Sequence, residues 1–186
     1  MRKTLISVLM IPLLLLGGCG DRRNEPEVVF TSFRESLNTA ETISAELRLA
    51  ADFGGTAASY ALSVEDDGRQ TAVTVREPEL IAGVAAIVRE SETSLSFDGV
   101  MLDAGAVDPE GTTPLSAVCV ILRAMKDGYT ELFWRDGDYY AARIYTGEGS
   151  ACTVWLEPQE VTPVAAEIAT GGKTVVTCRF TDWHLE

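Results

Sequence analysis

The 186-residue chain has one histidine, His184, and only 15 lysines and arginines against 28 acids, for a formal net charge of −13. A single histidine excludes metal sites built from several imidazoles and most catalytic triads. The shortage of cations argues against nucleic acid, which is held by basic patches that release counterions, and against peripheral docking on anionic lipid. There is no Gly-rich phosphate loop, no G-x-S-x-G elbow, no H-E-x-x-H and no C-x-x-C. Glu65-Asp66-Asp67 and the Asp136/Asp138 pair sit at turn signals without the spaced oxygen ligands of a cation loop, so they read as solvated turns. His184 lies two residues from the carboxyl end, where packing cannot fix a general base. The expectation is a protein with no cofactor, no metal and no enzymatic activity.

What is present begins with an address. Arg2 and Lys3 precede an almost wholly apolar run from Leu5 to Leu16, which ends in Gly17-Gly18-Cys19. The run is short for ~30 Å of hydrocarbon and fits a cleaved signal better than a permanent span. Leu16-Gly17-Gly18-Cys19 has the pattern of a lipobox, in which the Cys19 thiol takes a diacylglycerol. Two or more acyl chains, at ~0.8 kcal/mol per buried methylene, make such an anchor stable. Cleavage before Cys19 removes Arg2 and Lys3 and no acid, moving the net charge from −13 to −15. Residues 1–18 are thus assigned to a lipoprotein signal peptide, 19–26 to a lipidated tether and 27–186 to one globular domain. The expected location is the extracytoplasmic face of the cell membrane, and the expected state a monomer. Cys119, Cys152 and Cys178 remain beyond the anchor, all among apolar neighbours. Buried thiols and a single bridge are both open there.

Periodicity supplies the architecture. Acids, an early proline and helically spaced apolar residues predict an amphipathic helix over Pro26–Asn38. The period then drops to two, with Ile43, Ala45, Leu47, Leu49 and Ala51 alternating with polar positions. Asp67-Gly68, Asp98-Gly99, Asp136-Gly137 and Gly171-Gly172 each separate two strand-like runs, as tight hairpins require. Eleven candidate strands joined by short links make an antiparallel meander. One segment differs. Thr113 through Met125 carries a threonine cap, a proline at the first helical position and apolar residues nearly all round, so it must be buried on most sides. The fold class is α+β: a curved antiparallel sheet of about eleven strands, a half-open β-barrel with helices on its concave face.

This order resembles the LolA/LolB-like family of bacterial lipoprotein carriers. The likeness rests on Val75-Arg76-Glu77-Pro78-Glu79-Leu80-Ile81-Ala82-Gly83, on the Asp98-Gly99 hairpin, and on a closing pattern. That pattern runs Trp155-Leu156-Glu157-Pro158, Pro163-Val164-Ala165-Ala166-Glu167-Ile168, Phe180-Thr181-Asp182-Trp183. The resemblance implies a hydrophobic cavity between sheet and helices that holds a lipid or acyl chain. In some members it holds a partner segment. Leu47, Leu49, Tyr60, Leu62, Leu156 and Phe180 are the expected cavity lining. The lipobox departs from soluble shuttles of the family, because a tethered copy cannot diffuse between membranes. Two functions follow: a tethered binder of acyl chains or lipoproteins, or a regulatory lipoprotein that docks an envelope or cell-wall enzyme, as LolA-like germination lipoproteins do. An open apolar cleft favours the first, a filled core the second.

Overall fold

The computed structural model describes residues 25–52, 57–89, 92–106 and 113–186. The signal segment, the lipobox and Cys19 lie outside the described residues. Helix α1 (Glu25–Thr39) is followed by strands β1 (Ile43–Asp52), β2 (Ala57–Asp66), β3 (Thr71–Glu77), β4 (Ala85–Arg89), β5 (Glu92–Phe97) and β6 (Val100–Ala106). Helix α2 (Pro114–Asp127) then leads into β7 (Tyr129–Asp136), β8 (Tyr139–Gly147), β9 (Ser150–Glu157), β10 (Thr162–Thr170) and β11 (Lys173–Leu185). All eleven strands form one antiparallel sheet in the order β6-β5-β4-β3-β2-β1-β11-β10-β9-β8-β7. Two meanders, β1–β6 and β7–β11, are therefore joined edge to edge by the first and last strands. The expected α+β class and the curved meander are present.

The turns follow the chemistry that two-residue hairpins need. Asp98 and Gly99 have φ of 50° and 78°, and Gly171 and Gly172 have 59° and 78°, as turns with two positive-φ positions demand. The central strands bury alternate residues on one face. Leu47, Leu49, Leu62, Ala142, Val154, Leu156, Ala166, Ile168 and Cys178 are at most 3% exposed, in one core cluster with α1 and α2.

Helix α2 is packed on most of its circumference: Ala117 to Leu122, Ala124 and Met125 are all buried. Its amino end is closed by a capping box, Thr113 Oγ1 accepting from the Ser116 amide and Ser116 Oγ from the Thr113 amide. At its carboxyl end the chain turns at Gly128, where a Cβ would sit 2.6 Å from the Ala124 carbonyl oxygen. Helix α1 supplies Phe30, Phe33 and Leu37 to the core, and its Arg34 donates to the carbonyls of Ala124, Met125 and Gly128 at 3.3, 3.0 and 2.8 Å. Burial lowers the Arg34 pKa, against the attraction of Asp127. One helix thus caps the other.

Two elements depart from plain alternation. A short 3-10 turn, Glu79–Ile81, and Gly83 at φ 88° separate β3 from β4, which begins at Ala85. Strand β11 continues to Leu185, because a bulge at Thr181 shifts the alternation and leaves Trp183 facing inward opposite Ala45.

Candidate functional site

The concave face is filled unevenly. Over β1–β3 and β8–β11 the inward positions carry mostly Leu, Val and Ile, with smaller Ala45, Ala142, Cys152 and Ala166 among them, and the helices lie on them. Over β4–β6 the small inward residues Ala86, Thr93 and Ala104 lie among Val88, Leu95 and Leu102, and the first turn of α2 reaches this part of the sheet. The register confirms a shared face: Ala86 opposes Leu95, and Leu95 opposes Leu102. A cavity of about 270 Å³ results, walled by Ala86, Val88, Leu95, Ala104 and Ala106 of the sheet and Leu115 of α2, with the hydroxyls of Thr93, Thr113 and Ser116. Thr113 and Ser116 are already committed to each other in the capping box. Among the described residues the lining holds no ionisable side chain. Such a space rewards methylene groups, which are transferred from water at about 0.8 kcal/mol each.

The apolar surface does not stop at the cavity. Phe97 opposes Val100 on the same face as Leu95 and Leu102, and Phe97, Val100 and Leu102 are 52%, 60% and 63% exposed. Strand β6 is an end strand of the sheet, so the cavity opens into a greasy trough at an edge.

The six side chains singled out from the sequence are brought together, but elsewhere. Leu47, Leu49, Leu62 and Leu156 are at most 2% exposed within the core, and Tyr60 and Phe180 are half-buried against it. Phe180 stands edge-on to Trp183 with ring centroids 5.4 Å apart. None of the six borders the apolar cavity. Leu49 and Tyr60 border a separate, polar depression of about 380 Å³. Alanine at inward strand positions such as Ala86 and Ala104 is one feature of the apolar cavity, shared with the filled core at Ala142 and Ala166.

Charge is kept to the periphery of the core. Asp66, at the end of β2, accepts from Lys126 Nζ of α2 at 2.7 Å, from the Thr71 hydroxyl at 2.5 Å and from the Gly68 amide at 3.1 Å. Burial pushes its carboxyl pKa up, but these three donors together hold it below the usual carboxylate range. Cys119, Cys152 and Cys178 are free and buried. Burial raises all three thiols, Cys119 to about 11 and Cys178 to about 12, so they are protonated and unreactive at neutral pH. His184 lies in the exposed end of β11, its side chain 65% accessible and 3.0 Å from Asp182. No group of three or more potential metal ligands is found among the described residues, and no helix among them is long and apolar enough to cross a membrane.

No protein-family model matches the chain. No curated protein matches it in sequence. Among solved structures, it is similar to the LolA superfamily protein of Nitrosomonas europaea, at 12% identity and a TM-score of 0.50, covering 87% of this chain and 93% of that one. It is similar also to a DUF1329 family protein of Desulfovibrio piger, at 7% identity and a TM-score of 0.50, again over 87% and 93%. At such identities the likeness is one of fold, and it spans nearly the whole of both partners. The single curved sheet and its cradled helix therefore have the fold of the LolA superfamily.

Proposed function

We propose that this chain is a membrane-tethered, non-enzymatic binding protein of the cell envelope that holds an acyl chain in the apolar cavity between β4–β6 and the first turn of α2. The observation that carries the proposal is the lining: among the described residues, six apolar walls, three hydroxyls and no charge, open onto an exposed apolar trough. At about 270 Å³ the space falls just under the ~300–1,000 Å³ of ordinary ligand pockets. It therefore suits one chain end, with the remaining methylenes lying along Phe97, Val100 and Leu102. The tether is assigned to the diacylated Cys19, and the carrier to the outer face of the cell membrane. Binding of this kind proceeds by burial alone and needs no covalent step.

A fluorescent fatty acid titrated into the purified chain tests this directly. Saturable binding, lost in Ala104→Trp as the indole fills the cavity, is the expected result. Unchanged binding in that variant, or none in the parent chain, sinks the proposal. A second occupant is favoured by one observation: β6 is an edge strand whose Val100, Met101 and Leu102 are all more than half exposed. Such an edge can pair with a strand of an envelope protein, and recovery of one protein with no lipid distinguishes that outcome.

A further inference from the structure

The outer face of the sheet carries a row of side chains that the acyl-binding proposal does not use. Cross-strand register places Trp134 opposite Ala141, Ala141 opposite Trp155, Trp155 opposite Ala165, Ala165 opposite Arg179, and Arg179 opposite Arg48. Six neighbouring strands thus contribute one residue each, a span of about 24 Å at ~4.8 Å per strand. The row faces away from the helices, since the alternate residues Ala142, Val154, Ala166, Cys178 and Leu49 are the buried ones.

Its two halves differ in chemistry. At one end the two tryptophans flank Ala141, which is only 1% exposed although it faces outward, so the indoles form an apolar plate over it. Trp155 is fixed in place by donating Nε1–H to Asp136 at 2.8 Å. At the other end is the polar depression of about 380 Å³, in which small Ala50 and Ala165 sit among long side chains. Arg48 and Arg179 supply donors there, Glu77 and Glu167 acceptors, and Ser59 and Thr177 hydroxyls that do both.

The arginine pair runs against stability. Like charges directly opposite across an antiparallel pair repel. Arg48 is engaged with Glu77 at 3.1 Å, whereas Arg179 has no ion pair among the described residues. In the next outward row Glu46 faces Asp182, whose carboxylate is taken by His184. An anion lying between the two guanidiniums relieves that repulsion. In a chain of net charge −13 only a sparsely charged ligand can approach. An apolar plate for a ring face, interleaved donors and acceptors for hydroxyls, and two guanidiniums for an isolated carboxylate are together the requirements of an acidic sugar chain. We propose that the outer face of this sheet binds a carboxylate-bearing oligosaccharide, stacked on Trp134 and Trp155 and held through its carboxylate by Arg48 and Arg179. This site is independent of the acyl cavity, which lies on the opposite face.

The test uses the full chain and three probes: a hyaluronan hexasaccharide, with one carboxylate on every second ring, uncharged chitohexaose, and hexaglutamate. The acidic sugar is expected to quench tryptophan fluorescence, to shift the indole N–H resonances of Trp134 and Trp155 but not of inward-facing Trp183, and to bind at least about tenfold tighter than chitohexaose, the factor expected of a charge-assisted contact. Arg179→Gln is expected to erase that preference while far-UV circular dichroism and fatty-acid binding stay unchanged. Binding of hexaglutamate as tight as that of the acidic sugar overturns the proposal in favour of a peptide surface. Equal binding of the two sugars removes the arginine half of it, and no response of either indole at millimolar sugar removes the whole.

Discussion

Arg34→Ala removes the contact through which α1 closes the end of α2. Met125 lies past the last helical donor, so its carbonyl depends on Arg34 Nε at 3.0 Å, and the Gly128 carbonyl accepts from Nη2 at 2.8 Å. The guanidinium also lies 5.1 Å from the Phe30 ring centroid. A hydrogen bond from a charged donor contributes about 1.5–3 kcal/mol and an exposed cation–π contact about 0.5–1 kcal/mol. The site is only partly buried, and water can reach the freed carbonyls, so the pieces do not add in full. A net loss of about 2–3 kcal/mol is expected, equivalent to about 5–10 °C in Tm for a chain of this size. Arg34→Lys keeps the charge but not the fork and should fall between. Thermal unfolding followed by circular dichroism gives the shift, and hydrogen exchange at residues 124–129 locates it. A variant that melts within about 1–2 °C of the parent and exchanges no faster there refutes the idea that α1 holds the end of α2.

Lys126→Met leaves the Asp66 carboxylate buried at 10% exposure with only Thr71 and Gly68 as donors, and should cost about 2 kcal/mol at pH 7 by chemical denaturation. In the parent chain the lowered Asp66 pKa gives stability that is present above the unfolded value near 3.9 and lost as pH falls through the folded value. Lys126→Met should therefore flatten the stability profile below about pH 4, and a profile parallel to the parent's contradicts the pairing. Cys119, Cys152 and Cys178 should resist a thiol reagent in the native chain at pH 8 and react only on unfolding; fast labelling of any one contradicts its burial. Cys19→Ser should move the protein from the membrane to the soluble fraction of producing cells, and unaltered membrane partition argues against the lipid anchor.

Much of the fold could be read from local signals, and the exceptions have local causes. Alternation in β1 and the Asp98-Gly99 and Gly171-Gly172 turns set strand and hairpin without reference to the rest of the chain. The pairing of β1 with β11 has no such signal, because it joins chain ends through contacts that only the assembled sheet provides. Period two breaks at Thr181 in the sequence because the bulge lies there; the Thr181 hydroxyl donates to the Glu46 carbonyl at 3.1 Å and secures the bulge. The site was harder to place. Inward-facing large residues such as Leu62 and Leu156 mark where a core is full, whereas this cavity forms at inward positions that are too small and left uncovered, here Ala86 and Ala104. Which small residues remain uncovered depends on how far α2 extends, and that is decided by packing rather than by any one segment.

A photoactivatable fatty acid, cross-linked to the intact chain and mapped by peptide mass spectrometry, asks where the greasy occupant goes. Adducts should fall on residues of β4, β5 and β6 and on Leu115, with a branch along Phe97 and Leu102. Adducts confined to the outer face or to the helix α1 surface, or a chain that emerges unlabelled under saturating probe, would contradict it.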